Sequence, residues 1–139
     1  MLAHTVWATK DRKPFLLAGN KNIICDHIRQ YAPTKNIHII HINGFKDHLH
    51  ALISITPEQN IATIMNLVKG ESSYWVNKNL DLNEKFGWQD EYFAVSISKS
   101  HLSRVYDYIE RQEIHHRHKT FQQEYDEFMK VYGFEEEIR

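Results

Sequence analysis

The sequence predicts an α+β protein built on one antiparallel sheet, and three observations carry that reading. Short β-branched runs alternate with stretches of helical periodicity in the order β-α-β-β-α-β-α-α. The two middle strands flank Asn43-Gly44, a hairpin signal because both residue types tolerate the positive φ of a tight turn. The first six elements follow the split βαβ pattern of ferredoxin-like folds, with helices on one face of the sheet and extra helices at the C-terminal end.

Taken in order, residues 3–9 (AHTVWAT) read as the first strand, ended by DRKP because Pro14 has no N–H to give a ladder. Residues 20–31 place Ile23, Ile24, His27, Ile28 and Tyr31 at helical spacing, with Pro33 just beyond. NIHIIHI (36–42) and HLHALISI (48–55) are the hairpin strands, and Pro57 closes the second. Residues 58–79 carry Ile61, Ile64, Met65 and Val68 on one helical face, with Gly70 as the expected bend or break. YFAVSIS (92–98) is the fourth strand, and Ser100 is the expected N-cap of a helix from 100 to 117. Thr120 with Gln123 forms a capping-box pattern opening a last helix, 121–132, that stops at Gly133. With no repeat, low-complexity tract or linker, the 139 residues are expected to form a single domain.

Composition narrows the class. At 42% hydrophobic and 25% charged residues, the chain is ordinary for a globular protein. No apolar run approaches the roughly 20 residues of a membrane span, and the start lacks a basic stretch followed by an apolar one. Cys25 is the single cysteine, which excludes an internal disulfide and a cysteine-based zinc site. A cytoplasmic protein is the expectation. The net charge of −1 gives no overall attraction to nucleic acid, so such binding would depend on local groups such as Lys10, Arg12 and Lys13, or Arg117 and Lys119. Ten histidines are the unusual count.

Two of them lie in DHLHALISI (47–55). Strand side chains alternate, so His48 and His50 share one face while Leu49, Ala51, Ile53 and Ile55 share the other, the evident core face. Two imidazoles so placed can share one metal ion, or can simply be solvated strand residues. A metal also needs a further ligand. His38 and His41 sit at odd spacing on the preceding strand, so at most one of them is expected on the face of the pair. Asp47 is placed either to orient a histidine or as a plain turn residue.

The helix HLSRVYDYIERQEIHH (101–116) supplies other candidates. Its core stripe is Leu102, Val105 and Ile109. Arg104, Tyr108, Gln112 and His115 follow at one-turn intervals on one flank, and Tyr106 falls on the other side as an expected packing residue.

A His-hydrophobic-His strand followed by a Tyr-x-x-x-Gln helix resembles the single-tyrosine HUH transposases of the insertion-sequence-200/605 (IS200-like) class, including those associated with repetitive extragenic palindromes. The resemblance extends through HTVWATKDRKPFL, INGFKDHLHALISI, IMNLVKGESSYWVNK, FGWQDEYFAVSISKS and YIERQEIHHRHKTFQQEYDEFMKVYGF. It implies a ferredoxin-like (RRM-like) sheet, His48, His50 and Gln112 as ligands of a divalent cation, and Tyr108 as a nucleophile toward single-stranded DNA hairpins at transposon ends. It also implies a homodimer whose active site is shared between subunits. Relatives often run somewhat longer at both ends.

The implied chemistry is coherent. A phenol with pKa about 10 is only about 0.1% ionised at neutral pH, so attack on phosphorus needs a proton acceptor or a cation nearby. Two imidazoles and an amide favour Mn²⁺ on intrinsic affinity, while Mg²⁺ is the abundant phosphate-binding ion, so Mg²⁺ or Mn²⁺ is expected. Arg104 is placed to steady the phenolate or hold a phosphate. Two readings compete: a non-catalytic nucleic-acid-binding module derived from a transposase, and a metal-dependent hydrolase using water. The hydrolase leaves the Tyr108–Gln112 spacing unexplained.

Overall fold

Alternation along residues 48–54 sets the architecture of the protein, described here from a computed structural model that covers residues 1–17, 19–112, 123, 126, 127 and 130. Leu49, Ala51 and Ile53 turn to one face of the strand and are buried; His48, His50 and Leu52 turn to the other and are equally buried. Burying one Leu or Ile side chain contributes roughly 1.5–3 kcal/mol. A slip of one residue would exchange these two sets between the faces, so the pattern holds the register.

Four strands form the sheet: β1 (Leu2–Ala8), β2 (His38–Phe45), β3 (His48–Ser54) and β4 (Phe93–Ile97). Their spatial order is β2-β3-β1-β4, and each neighbouring pair is antiparallel. This is the ferredoxin-like arrangement the element order predicts. Helices α1 (Asn20–Tyr31) and α2 (Ile61–Asn79) are the crossovers. They pack on the odd-numbered face of β3, joining Leu49 and Ile53 to Ile24, Ile28, Met65 and Val68. Helix α3 (Leu102–Glu110) lies on the opposite face, where Val105 and Ile109 meet Leu52 and Ile97. The crossover helices therefore share one face as expected, while α3 roofs the histidine face.

Several local expectations change. Asn43-Gly44 is not the hairpin turn: β2 runs on to Phe45, Phe45 pairs with His48, and Lys46-Asp47 forms the turn. Gly44 is needed for close approach instead, because an added Cβ would collide with the carbonyl oxygen of His48 and come within 2.9 Å of Leu49 Cα. A bulge between Ile39 and His41 absorbs Ile40, so His38 pairs with Ser54 and His41 with Leu52. Both histidines thus reach the face of His50, against the expectation of at most one. Gly70 does not break α2, which runs unbroken from Ile61 to Asn79 and is capped by Asn60 through Ala62 N at 2.8 Å and Thr63 N at 3.3 Å. Ser100 lies inside a short 3₁₀ turn, Lys99–His101, and does not cap α3; its hydroxyl meets that of Ser98 at 2.8 Å. The predicted helix at 121–132, with Thr120 and Gly133, falls largely outside the described residues.

Candidate active site

His48 opens β3, and its ring is oriented from the turn before it. Nδ1 lies 2.8 Å from Asp47 Oδ1, and Asp47 Oδ2 is 3.0 Å from Arg12 Nη2. An ionised carboxylate only accepts, so the neutral ring carries its proton on Nδ1 and keeps its lone pair on Nε2. Burial pushes the Asp47 carboxyl up, but the His48 hydrogen bond and the Arg12 guanidinium outweigh it and hold the pKa below the ordinary value. The Asp47 backbone is pinned too, its carbonyl accepting from Thr9 N at 2.8 Å and Thr9 Oγ1 at 3.2 Å. Arg12 reaches Asp47 from a tight turn in which Asp11 and Arg12 take φ of 58° and 55°. Arginine enters that left-handed region at a cost of order 1 kcal/mol, which the contacts at Asp47 offset.

His50 is oriented by a residue that sequence reasoning did not select. Its Nδ1 lies 2.9 Å from Nε2 of His4 on β1, with both rings buried. Strand alternation already sets His4 apart from Thr5 and Trp7 on β1. Its meeting with His50 depends on the β1–β3 register, in which His4 pairs with Leu52 and Val6 with His50. The ring centroids of His4 and His50, and of His48 and His50, are each 5.2 Å apart.

Helix α3 brings Tyr108 to these rings. The phenol stands edge-on to His50 at 5.7 Å and to His4 at 6.2 Å, all within one chain. Gln112, one turn later, is fully buried and donates from Nε2 to Tyr108 O at 3.0 Å, so its Oε1 is the atom it can offer a cation. Arg104, one turn before Tyr108, is exposed, and His115 lies outside the described residues. Strand β2 anchors the helix: Asn43 Nδ2 donates to the carbonyls of Ile109 and Glu110, and His41 stacks on Tyr106 at 4.1 Å with Nε2 2.7 Å from Glu110 Oε2.

The donor set fits a divalent cation in its chemistry. Two buried imidazoles share a face, each with Nδ1 engaged, so Nε2 is the nitrogen through which each could bind a cation. Among the described residues no group of three or more His, Cys, Asp or Glu is arranged to hold a metal. Among the described residues the Gln112 amide could serve as a third donor, and a phosphate oxygen or water could complete the set.

Other basic and aromatic side chains have structural work. Trp88 is buried and donates to Ser72 Oγ at 2.9 Å, and Lys69 Nζ donates to the carbonyls of Gln89 and Asp90 at 2.6 and 2.8 Å. Both border a groove of about 770 Å³ between Lys10–Phe15, α2 and residues 84–90. Lys13, on its rim, pairs with Glu84 at 2.9 Å. Arg117 and Lys119 are outside the described residues. Among those residues no helix is long and apolar enough to cross a membrane.

A four-stranded antiparallel sheet with a His-x-His strand under a tyrosine helix defines the class, and comparison with known proteins specifies the family. Residues 1–112 match the family described as "Transposase IS200 like", and the chain belongs to that family of DNA transposition enzymes. It is 26% identical over 114 residues to the transposase for insertion sequence element IS200 of Salmonella typhimurium, covering 78% of this chain and 74% of that one. It is 27% identical over 114 residues to the ISDra2 transposase TnpA of Deinococcus radiodurans, covering 78% and 81%. In fold it resembles the crystal structure of a candidate transposase from Deinococcus radiodurans, with TM-score 0.65, 23% identity, and 81% and 90% of the two chains covered. It also resembles a tyrosine transposase bound to a REP hairpin, with TM-score 0.64, 14% identity, and coverage of 84% and 68%.

Proposed function

We propose that this chain cleaves and rejoins single-stranded DNA at hairpin-bearing transposon ends through a 5′-phosphotyrosine on Tyr108, with Mg²⁺ or Mn²⁺ held by His48, His50 and Gln112. The observation that carries this reading is the Tyr108 ring set 5.7 Å from the ring of His50. The names of the relatives, insertion-sequence transposases and a tyrosine transposase bound to a hairpin, support the substrate class.

Tyr108 supplies the nucleophile. Its Oη gives up its proton as it bonds to phosphorus, the bond from phosphorus to O3′ breaks, and the departing 3′ oxygen takes up a proton, so the net proton transfer is from phenol to 3′-hydroxyl. His48 and His50 present their Nε2 lone pairs on one buried face, and Arg104 holds a phosphate from the exposed side of the helix. When bound, the cation polarises the scissile phosphate and offsets its charge. The phosphotyrosine keeps the free energy of a phosphodiester, so the 3′-hydroxyl of a second end can attack it, restore the phenol and join the strands. In this proposal the protein is a homodimer with a shared site, α3 of one subunit docking on the sheet of the other through the contacts it makes in the single chain.

The test uses labelled single-stranded hairpins from the DNA flanking the gene, with Mg²⁺ or Mn²⁺, run on a denaturing gel. A covalent protein–DNA adduct that disappears in Tyr108→Phe is expected. Cleavage persisting in that variant would point to a water-using hydrolase. Binding of the flanking hairpin with no cleavage would point to a binding module.

A further inference from the structure

We infer that His4 is a positioning residue for His50: it accepts a hydrogen bond that keeps the His50 proton on Nδ1 and so presents Nε2 to a divalent cation. The inference rests on the metal reading given above. His4 Nε2 and His50 Nδ1 are 2.9 Å apart between two buried rings, so one proton lies between two nitrogens. With that proton on His4, a neutral His50 carries its own on Nε2, and that nitrogen has no lone pair for a cation. With the proton on His50 Nδ1, Nε2 is left as a ligand atom.

The neighbouring ring settles the same choice by different means. His48 meets the carboxylate of Asp47 at 2.8 Å, and a carboxylate can only accept. His4 gives His50 the corresponding acceptor without a second negative charge in the buried site. The geometry is set by the sheet: His4 pairs with Leu52, diagonal to His50, with the two rings 5.2 Å apart and inclined by 33°. A metal-bound histidine is ordinarily steered through its other nitrogen, and losing such a partner weakens metal binding by about 10–100-fold.

Two measurements on the full chain test this. Long-range proton–nitrogen NMR correlations of the histidine-labelled, metal-free protein read the tautomers directly. Nδ1–H is expected on His50, and Nε2–H there would overturn the role of His4. Mn²⁺ titration, followed by the EPR signal of the free ion, reads the consequence. His4→Phe fills the space without an acceptor and should bind Mn²⁺ about 10–100-fold more weakly, whereas His4→Gln, whose Oε1 reaches the place of Nε2, should stay within about 3-fold of the parent. Unchanged affinity in His4→Phe, with binding lost in His50→Ala, overturns the inference and leaves the metal reading standing. Binding retained in His50→Ala removes the metal reading and the inference with it. Should His4→Phe fold poorly, the tautomer spectrum of the unaltered chain still decides.

Discussion

Asn43 on β2 donates its side-chain amide to the main-chain carbonyl of Ile109, 3.0 Å away, at the end of the helix that carries Tyr108. The same amide reaches Glu110 O at 3.1 Å. Both carbonyls belong to the last two residues of α3, so Asn43 ties that end of the helix to the sheet. It is also paired with His50 across the β2–β3 ladder, which places the clamp beside a candidate ligand. Asn43→Ala is expected to cost about 1 kcal/mol of stability. Adduct formation should fall further than that loss explains, as urea melts and the gel assay run in parallel would show. An unchanged adduct rate would mean that α3 is held in place without Asn43.

Asp47 makes a prediction about charge as well as geometry. Asp47→Ala removes the acceptor from His48 Nδ1 and leaves Arg12 without its carboxylate, so Mn²⁺ affinity should drop by about 10–100-fold. Asp47→Asn keeps an acceptor oxygen but loses the charge and should fall between parent and Ala. EPR titration ranks the three, and equal affinities would assign Asp47 to the turn alone.

What the sequence made legible follows from the range of the signals. Periods of 2 and 3.6 are local, so α1 spans the expected 20–31 and β3 begins at His48 as expected. Tyr108 and Gln112 are placed on one flank by the same local rule. That this flank meets the histidines depends on α3 crossing to the opposite face of the sheet, which no local pattern encodes. The bulge that absorbs Ile40 is likewise invisible until β2 is laid against β3, and it alone brings His38 and His41 to one side. Gly44 misled because a glycine serves both positive φ and close approach, and only the second applies. His4 was missed for want of the β1–β3 register.

The two glycines of contrasting role separate by substitution. Gly44→Ala drives a methyl group into the His48 carbonyl and should destabilise by at least about 1–3 kcal/mol. Gly70→Ala projects into open space from the interior of α2 and should stabilise by roughly 0.5–1 kcal/mol through helix propensity. Urea melts of both variants check the pair, and a destabilised Gly70→Ala would contradict the open space beside it.

His41 links the α3 contact to pH. Burial lowers its pKa from the ordinary 6.5, and Glu110 offsets this only in part. Between the folded and unfolded values the unfolded chain holds the additional proton, so this contribution is present above 6.5 and lost as pH falls toward the folded value. His41→Phe keeps a ring to stack on Tyr106 but cannot titrate. Between about pH 7.5 and about pH 5 the parent should therefore lose more stability than the variant, measured by urea unfolding. A smaller loss in the parent would reverse the sign and refute the assignment.

The shared-site proposal is decided by mixing subunits. Tyr108→Phe retains both histidines, and a His48→Ala, His50→Ala chain retains Tyr108, so neither can form an adduct alone. In the single chain the phenol already stands beside His4 and His50, and Asn43 and His41 hold its helix to the sheet. Exchange of α3 between two copies would reproduce those contacts with nothing added, the economy that makes swapped dimers accessible. Refolding the two inactive chains together should then restore adduct formation, because each exchanged pair joins intact histidines of one subunit to the tyrosine of the other. The labelled DNA should be attached only to the chain that lacks histidines at 48 and 50, distinguishable on the gel by a mass tag. Verified mixed dimers that yield no adduct would establish instead that each chain uses its own tyrosine, as the 5.7 Å contact within one chain permits.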